Sequence, residues 1–249
     1  MRTALHLGLA ILLCAMAACG PVGTTSGDPA LVGYWKFDDD AGARALDSSG
    51  YGNAGLYVHA PEPSADVPPV KFPDPRARAF LQGRGQHVEV ADSPSLRLTG
   101  SVTVAAWVKP AVERCEDNQG IAERFTWTGT EASGGFTFRL SRERNVMFSV
   151  NPASGGGKGC WCQQKAAVGV WSHVAGVYDA PAQEVRVYLN GRQIAVARGI
   201  PAPGPTEQPL RLGSDYSQNQ FNGSLDDIRL YSRALSEQEI QSLSSGNER

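Results

Sequence analysis

The chain has 249 residues and a formal net charge of −2 at neutral pH, with 19% charged and 41% hydrophobic residues. This length is within the range of one all-β domain. The basic residues form no stripe or run, which argues against nucleic acid as a partner. The 28 glycines and 16 prolines are typical of a fold in which many turns connect short strands.

The amino terminus has the pattern of a secretion signal. Arg2 supplies a positive charge, and residues 5–16 form an apolar run that is short for a permanent transmembrane helix. The sequence Met-Ala-Ala-Cys-Gly over residues 16–20 then resembles a bacterial lipobox. This resemblance implies that residues 1–18 are a lipoprotein signal peptide and that Cys19 is acylated.

An acylated Cys19 would anchor the protein to the cell envelope through its lipid. We predict the outer membrane rather than the inner one, with the protein either periplasmic or surface-exposed. Residues 19–30 contain glycine, proline and threonine, and they are predicted to form a flexible tether. The alternative is an ordinary signal peptide that is cleaved after Ala18 and leaves no lipid.

Short segments with strand character follow through the rest of the chain. Strands are predicted where apolar residues alternate or cluster between turn signals, and these segments are residues 31–37, 86–90, 102–108, 171–179, 185–189, 193–197, 210–212 and 225–231. Asn190-Gly191 predicts a tight hairpin. Only residues 236–244 are predicted to be helical, because Ser236 and Glu239 form a capping box. Frequent turns favour a β-sandwich over βαβ units.

Six blocks of the sequence resemble, in the same order, those of laminin-G-like domains with the concanavalin A-like lectin/glucanase jelly roll. The blocks are residues 33–53, 80–98, 102–110, 171–175, 187–191 and 221–240. The resemblance covers about residues 31–245, which we therefore take as one domain. It implies an all-β fold, a two-sheet antiparallel β-sandwich with one short C-terminal helix, in which the first and last strands lie side by side.

The same resemblance implies a binding function, because the family mostly binds carbohydrate or protein. We therefore predict a membrane-anchored extracytoplasmic binding module whose partner is a glycan or a cell-surface protein. One alternative is a structural or adhesion lipoprotein without a small ligand. A second is a glycan-active enzyme, but glycosidases use a pair of carboxylates, and the chain has no alternating run of acids that would supply one. We predict no catalytic residue.

The family often binds calcium, so the resemblance also suggests a Ca²⁺ site. Calcium prefers hard oxygen ligands such as carboxylates and carbonyls. The suggested ligands are Asp47, in a loop that contains glycine and asparagine, and Asp226, on a strand that the family fold places near this loop, with Asn53 adding an amide oxygen. The alternative makes Asp47 a turn-former and Asp226 a salt-bridge partner.

Beyond the lipobox, cysteines occur at positions 115, 160 and 162. Outside the cytoplasm such residues usually pair. We predict a disulfide between Cys115 and Cys160, or between Cys115 and Cys162, with the third thiol left over. A three-cysteine zinc site is a further alternative, although no histidine lies near the pair. These cysteines lie in residues 112–165, the segment that departs most from the family pattern and is expected to hold the specificity.

Glycan binding requires exposed aromatic rings with polar neighbours. Trp127, Trp161, Tyr216 and Arg124 are predicted as ligand-binding residues because they fall in loops or at strand ends. The alternative for the two tryptophans is that they anchor loops by packing. The remaining tryptophans lie in the matched blocks and are expected to pack inside the fold: Trp35, Trp107 and Trp171.

Overall fold

A computed structural model describes residues 27–39, 42–217 and 219–247. The predicted signal peptide, the predicted lipidation site Cys19 and most of the predicted tether lie outside the described residues. Among the residues described, no helix has both the length and the apolar character needed to span a bilayer.

The described residues form sixteen strands and one α-helix. In chain order the strands are β1 (Leu31–Trp35), β2 (Arg44–Ala45), β3 (Gly55–Val58), β4 (Glu62–Ser64), β5 (Ala77–Phe80), β6 (His87–Val90), β7 (Val102–Pro110), β8 (Gln119–Trp127), β9 (Ala132–Leu140), β10 (Asn145–Val150), β11 (Lys158–Lys165), β12 (Ser172–Asp179), β13 (Glu184–Leu189), β14 (Arg192–Arg198), β15 (Leu210–Leu212) and β16 (Gly223–Tyr231). The helix α1 (Glu237–Ser244) follows.

These strands form two antiparallel sheets, which confirms the predicted all-β sandwich. Sheet A has the order β14-β13-β12-β7-β16-β5-β4, and β1 also pairs with β16. Sheet B has the order β11-β10-β9-β8-β15-β6-β3-β2. In the pairing of β1 with β16, Leu31 lies opposite Tyr231, so the first and last strands are neighbours, as the family resemblance implied.

The core lies between the two sheets and follows from the alternation of side chains along each strand. On β7, Val102, Val104, Ala106 and Val108 all pack in this core. Ala105, which lies between Val104 and Ala106, faces the outer side of sheet A. There it belongs to a second apolar cluster with residues of α1. Both faces of β7 are therefore buried, one by sheet B and one by an outer cluster that includes residues of the helix.

The helix α1 begins with the predicted capping box. The Ser236 hydroxyl accepts a hydrogen bond from the backbone N–H of Glu239, and the Glu239 carboxylate accepts one from the backbone N–H of Ser236. Asp28 is fixed beside this helix, because the Arg233 guanidinium donates to the carboxylates of both Asp28 and Glu239. The start of the described domain therefore lies on the outer side of sheet A.

Residues 112–165 differ most from expectation, because they contain the four strands β8 to β11, which the sequence analysis did not predict. Arg124 lies inside β8, Trp127 is its last residue and Trp161 lies inside β11. The placement of Arg124 and Trp161 in loops or at strand ends was thus wrong. Glycine-rich breaks hid these strands, since Gly134 and Gly135 both have positive φ where the register between β8 and β9 shifts.

The predicted disulfide is not formed, because Cys115, Cys160 and Cys162 are all free and buried. The backbone N–H of Cys115 binds the carbonyl of Arg142, in the turn after β9, whereas Cys160 lies opposite Phe148 in the ladder of β10 and β11. Cys160 and Cys162 both pack in the main core. Burial raises the pKa of the Cys160 thiol to about 11. The two residues serve as small apolar side chains.

The two sheets approach closely where Gly176 of β12 meets Phe148 of β10, since a Cβ on Gly176 would lie 2.3 Å from the Phe148 ring. We expect Gly176→Ala to lower the free energy of unfolding by about 1–3 kcal/mol, because overpacking forces the sheets or the ring to move. Urea denaturation measures this change. The matched control is Gly100→Ala, whose Cβ would meet no atom within 4 Å. An equal loss of stability in both variants would contradict the close contact.

Candidate functional site

The outer face of sheet B carries an open groove with a volume of about 280 Å³. Its lining includes Thr137, Arg139, Ser149, Asn151, Gly157 and Trp161. All of these residues belong to the segment 112–165, in which the sequence analysis expected the specificity.

Strand alternation explains why polar residues line this groove. Arg139, Met147 and Trp161 lie side by side on β9, β10 and β11. The adjacent row contains Phe138 and Phe148, which pack in the core. Because successive side chains point to opposite faces of a sheet, each buried row alternates with one that faces the groove.

Two of the predicted ligand-binding residues are exposed aromatic side chains on this part of the molecule. Trp161 lines the groove and is 72% exposed. Trp127 is 56% exposed, and its ladder partner on β9, Ala132, also lines the groove. A flat apolar ring beside polar side chains is suited to stack against a sugar.

Asn151 gives the groove an unusual polar floor. The residue is 1% exposed, yet neither the nitrogen nor the oxygen of its side-chain amide has a hydrogen-bond partner among the described residues. Its backbone is fixed by hydrogen bonds to Gly135 and Gly204, each with a donor–acceptor distance of 2.9 Å. A buried polar group without a partner costs about 1–3 kcal/mol, so this amide is placed to donate to and accept from a ligand.

Glycine keeps the space above Asn151 open. A Cβ on Gly157 would lie 2.8 Å from the Asn151 Oδ1 and 3.3 Å from the Ser149 Oγ. A side chain at position 157 would therefore fill the groove at its polar floor.

Arg139 is held at the groove by two acidic residues beneath it. Its Nε lies 2.8 Å from the Glu123 Oε1, its Nη2 donates to the Glu123 Oε2 at 2.9 Å, and its Nη1 lies 3.9 Å from the Asp215 Oδ2. Burial raises the pKa of Glu123 to about 8, although the Arg139 charge opposes this shift. Asp215 accepts hydrogen bonds from the backbone N–H groups of Ser217 and Asn219.

Glu123 and Asp215 are both buried. The Arg139 side chain is 18% exposed at the groove, whereas the side chains of Glu123 and Asp215 are 0% and 3% exposed. The two carboxyl groups therefore fix the position of the guanidinium.

The other two predicted ligand-binding residues have structural partners. Arg124 is buried, forms an ion pair with Asp92 and donates to the Thr206 carbonyl at 2.8 Å. The Tyr216 ring contacts Phe125 edge-on, with ring centroids 5.0 Å apart. Sequence reasoning missed Asn151, Arg139 and Gly157, whose shared face is visible only from the strand register.

Asp47 and Asn53 form a closed hydrogen-bonded loop. The Asp47 Oδ1 accepts from the N–H groups of Tyr34 and Ser49, both at 2.9 Å. Its Oδ2 accepts from the Ser49 hydroxyl and the Asn53 N–H, both at 2.8 Å. The Asn53 Oδ1 accepts from the Ser93 hydroxyl at 2.7 Å. These oxygens already have donors, so they fit a turn better than a shell of calcium ligands.

Asp226 is better suited than Asp47 and Asn53 to lie beside a cation. The register of β16 against β7 shifts between Asp226 and Arg229, and Asp227 has a φ of 46°. Because Leu225 and Ile228 both pack in the core, this bulge puts the two intervening carboxylates outside it. A regular alternation along the strand would place them on opposite faces.

The Asp226 side chain is fully buried on the outer side of sheet A. Its Oδ1 accepts from the Asp227 N–H, and its Oδ2 has no hydrogen-bond partner within the described part of the chain. Burial raises the pKa of Asp226 well above its usual value, and the nearby charges of Asp74, Asp227 and Asp38 raise it further. Across residues 27–39, 42–217 and 219–247, no three His, Cys, Asp or Glu side chains are already grouped to hold a metal.

The comparisons with known proteins agree with this architecture. Residues 82–241 match the family described as the concanavalin A-like lectin/glucanases superfamily. No curated protein matches the chain. The binding domain of Paraclostridial Mosquitocidal Protein 1 is similar in structure, with a TM-score of 0.65 and 15% identity over 86% of this chain and 51% of that domain. The chain thus spans about half the length of that domain.

Two smaller solved domains are covered almost completely. The CBM40 of the Ruminococcus gnavus IT-sialidase, bound to α2,3-sialyllactose, has a TM-score of 0.56 and 16% identity over 68% of this chain and 96% of that domain. Domain 4 of AbnA, a GH43 extracellular arabinanase from Geobacillus stearothermophilus in complex with arabinotriose, has a TM-score of 0.55 and 18% identity. The match covers 86% of this chain and 98% of that domain. At these identities the similarity concerns the fold.

Proposed function

The chain belongs to the concanavalin A-like lectin/glucanases superfamily, and from this premise we propose that it is a carbohydrate-binding module with its site in the groove of sheet B. The observation that carries the proposal is the buried Asn151 amide, which has no partner for its nitrogen or its oxygen among the described residues. Hydroxyl groups of a sugar supply both a donor and an acceptor. The exposed Trp161 ring in the same groove lining provides the apolar surface on which a sugar ring stacks.

The structural neighbours support this class of ligand. One of them was solved with sialyllactose and another with arabinotriose. The mosquitocidal protein domain is itself a binding domain. A protein receptor is therefore the second candidate for the partner, and a rigid envelope spacer without any small ligand is the third.

We expect Trp161→Ala and Asn151→Ala each to weaken glycan binding about five- to thirtyfold, because each loses about 1–2 kcal/mol of stacking or hydrogen bonding. The full mature chain in detergent micelles would be applied to a glycan array that includes sialyllactose and arabinotriose, with hits measured by calorimetry.

The matched control is Tyr51→Ala, which removes an exposed aromatic ring from the loop beside Asp47, away from the groove. Binding that is unchanged in the Trp161 and Asn151 variants would show that the glycan binds outside the groove. No saturable glycan binding at all would favour the spacer.

We also propose that the module is anchored to the cell envelope through an acylated Cys19. The lipobox-like residues 16–20 support this, and the described domain starts only a few residues later, at Gly27. We expect the wild-type chain to partition into the detergent phase and Cys19→Ser to partition into water. Detergent-phase partitioning of both forms would contradict the anchor.

Calcium at Asp226 is a further part of the proposal. An unpaired buried carboxylate close to other acidic charges is stabilised by a hard cation. Asp226, with Asp74 and Asp38 nearby, supports such a site better than Asp47 and Asn53 do. The ion would neutralise these charges and fix the bulge of β16.

Thermal unfolding of the full mature chain, in millimolar calcium and then in chelator, tests this site. We expect calcium to raise the Tm of the wild type, since an ion that binds only the folded state stabilises it. Asp226→Asn should remove this increment. Asp47→Asn should lower the Tm in both conditions, because it weakens the loop, and should retain the increment. If only Asp47→Asn loses the calcium-dependent rise in Tm, the calcium site lies in the Asp47 loop instead.

A further inference from the structure

A second exposed tryptophan, Trp127, lies next to a residue of the groove lining. Ala132 lines the groove and lies opposite Trp127 in the ladder of β8 and β9, whereas Trp161 lies in the row of Arg139. The two indoles therefore stand at opposite ends of the groove. Strands rise about 3.3 Å per residue, so the part of β9 between these two rows separates the ends by up to roughly 20 Å.

Strand alternation also places Trp127 on the outer face of sheet B, which carries the groove. On β8, Glu123 faces outward with Arg139, and Phe125 faces outward beneath the Tyr216 ring. Trp127 follows in the same alternation, and more than half of its surface is in water. The extra residue in this part of the ladder belongs to β9, so β8 alternates regularly from Glu123 to Trp127. The Trp127 indole therefore lies on the same face of sheet B as Trp161.

The floor between the two rings is polar but nearly uncharged. The Thr137 and Ser149 hydroxyls share a hydrogen bond, and Asn151 contributes a neutral amide. Arg139 is the charged side chain of the lining, and Glu123 pairs with it directly beneath. Such a floor offers hydrogen bonds to hydroxyl groups, and the Nε and Nη2 groups of Arg139 are already engaged by Glu123.

We propose that Trp127 is a second aromatic platform of this groove, and that the ligand is an internal segment of an unbranched, neutral polysaccharide that covers both tryptophans. This inference rests on the proposed glycan-binding function of the groove. A span of roughly 20 Å is longer than a disaccharide, so that only a longer chain contacts both rings.

The test is calorimetric titration of the full mature chain in detergent micelles with linear arabino-, gluco- and manno-oligosaccharides, from disaccharide to hexasaccharide, and with acidic oligogalacturonates of the same lengths. We expect the affinity for one neutral series to rise about tenfold with length. Trp127→Ala should abolish this gain, so that this variant binds the hexasaccharide no more tightly than the disaccharide. Trp161→Ala should weaken every length, and Tyr51→Ala should resemble the wild type.

Other outcomes overturn the inference in distinguishable ways. If binding depends on Trp161 but Trp127→Ala retains the full gain with length, the second platform is wrong and the glycan site stands. If the oligogalacturonates bind more tightly than every neutral series, the neutral ligand is wrong. If no series binds and the glycan array is also negative, the proposed function and this inference both fail.

Discussion

The pairing of β16 with three other strands is the constraint on which the rest of the structure depends. β7 pairs along one side of β16, and β1 and β5 share the other side, so this strand joins both ends of the described domain and the middle of sheet A. The bulge after Asp226 lies within this crowded strand. It preserves the inward direction of Leu225 and Ile228, and it leaves two adjacent carboxylates outside the core. The most unusual electrostatic feature of sheet A is thus a consequence of how its central strand fits its neighbours.

The two outer faces of the sandwich differ in how much of each is covered. The helix α1 covers part of sheet A, where Ile240 and Leu243 pack against an apolar cluster that includes Ala105. Within the described residues no helix packs on sheet B, and its outer face is polar and open over β9, β10 and β11. The fold therefore leaves this face accessible, and the aromatic rings, the Asn151 amide and the fixed Arg139 guanidinium occur there.

Much of the fold could be predicted from the sequence, because alternation along strands such as β7 and the Ser236 capping box are local signals. The site was harder to predict because it depends on register. A shift of one residue exchanges the two faces of a strand, and Arg124, which was predicted to bind ligand, is buried in an ion pair, whereas its neighbour Glu123 supports the groove. The cysteine prediction failed because Cys160 and Cys162 occupy core positions, which the general tendency of exported thiols to pair could not reveal.

The position of Asp28 determines where an amino-terminal attachment would lie relative to the groove. Its contacts with Arg233 fix the start of the domain on the outer side of sheet A, whereas the groove is on the opposite side of the sandwich. A chain tethered at its amino terminus would present the groove away from the attachment point. Many such copies on one surface would meet the same polymer together, and linked sites gain avidity without any new contact. Weak recognition by each groove would then be sufficient for firm adhesion to a long glycan.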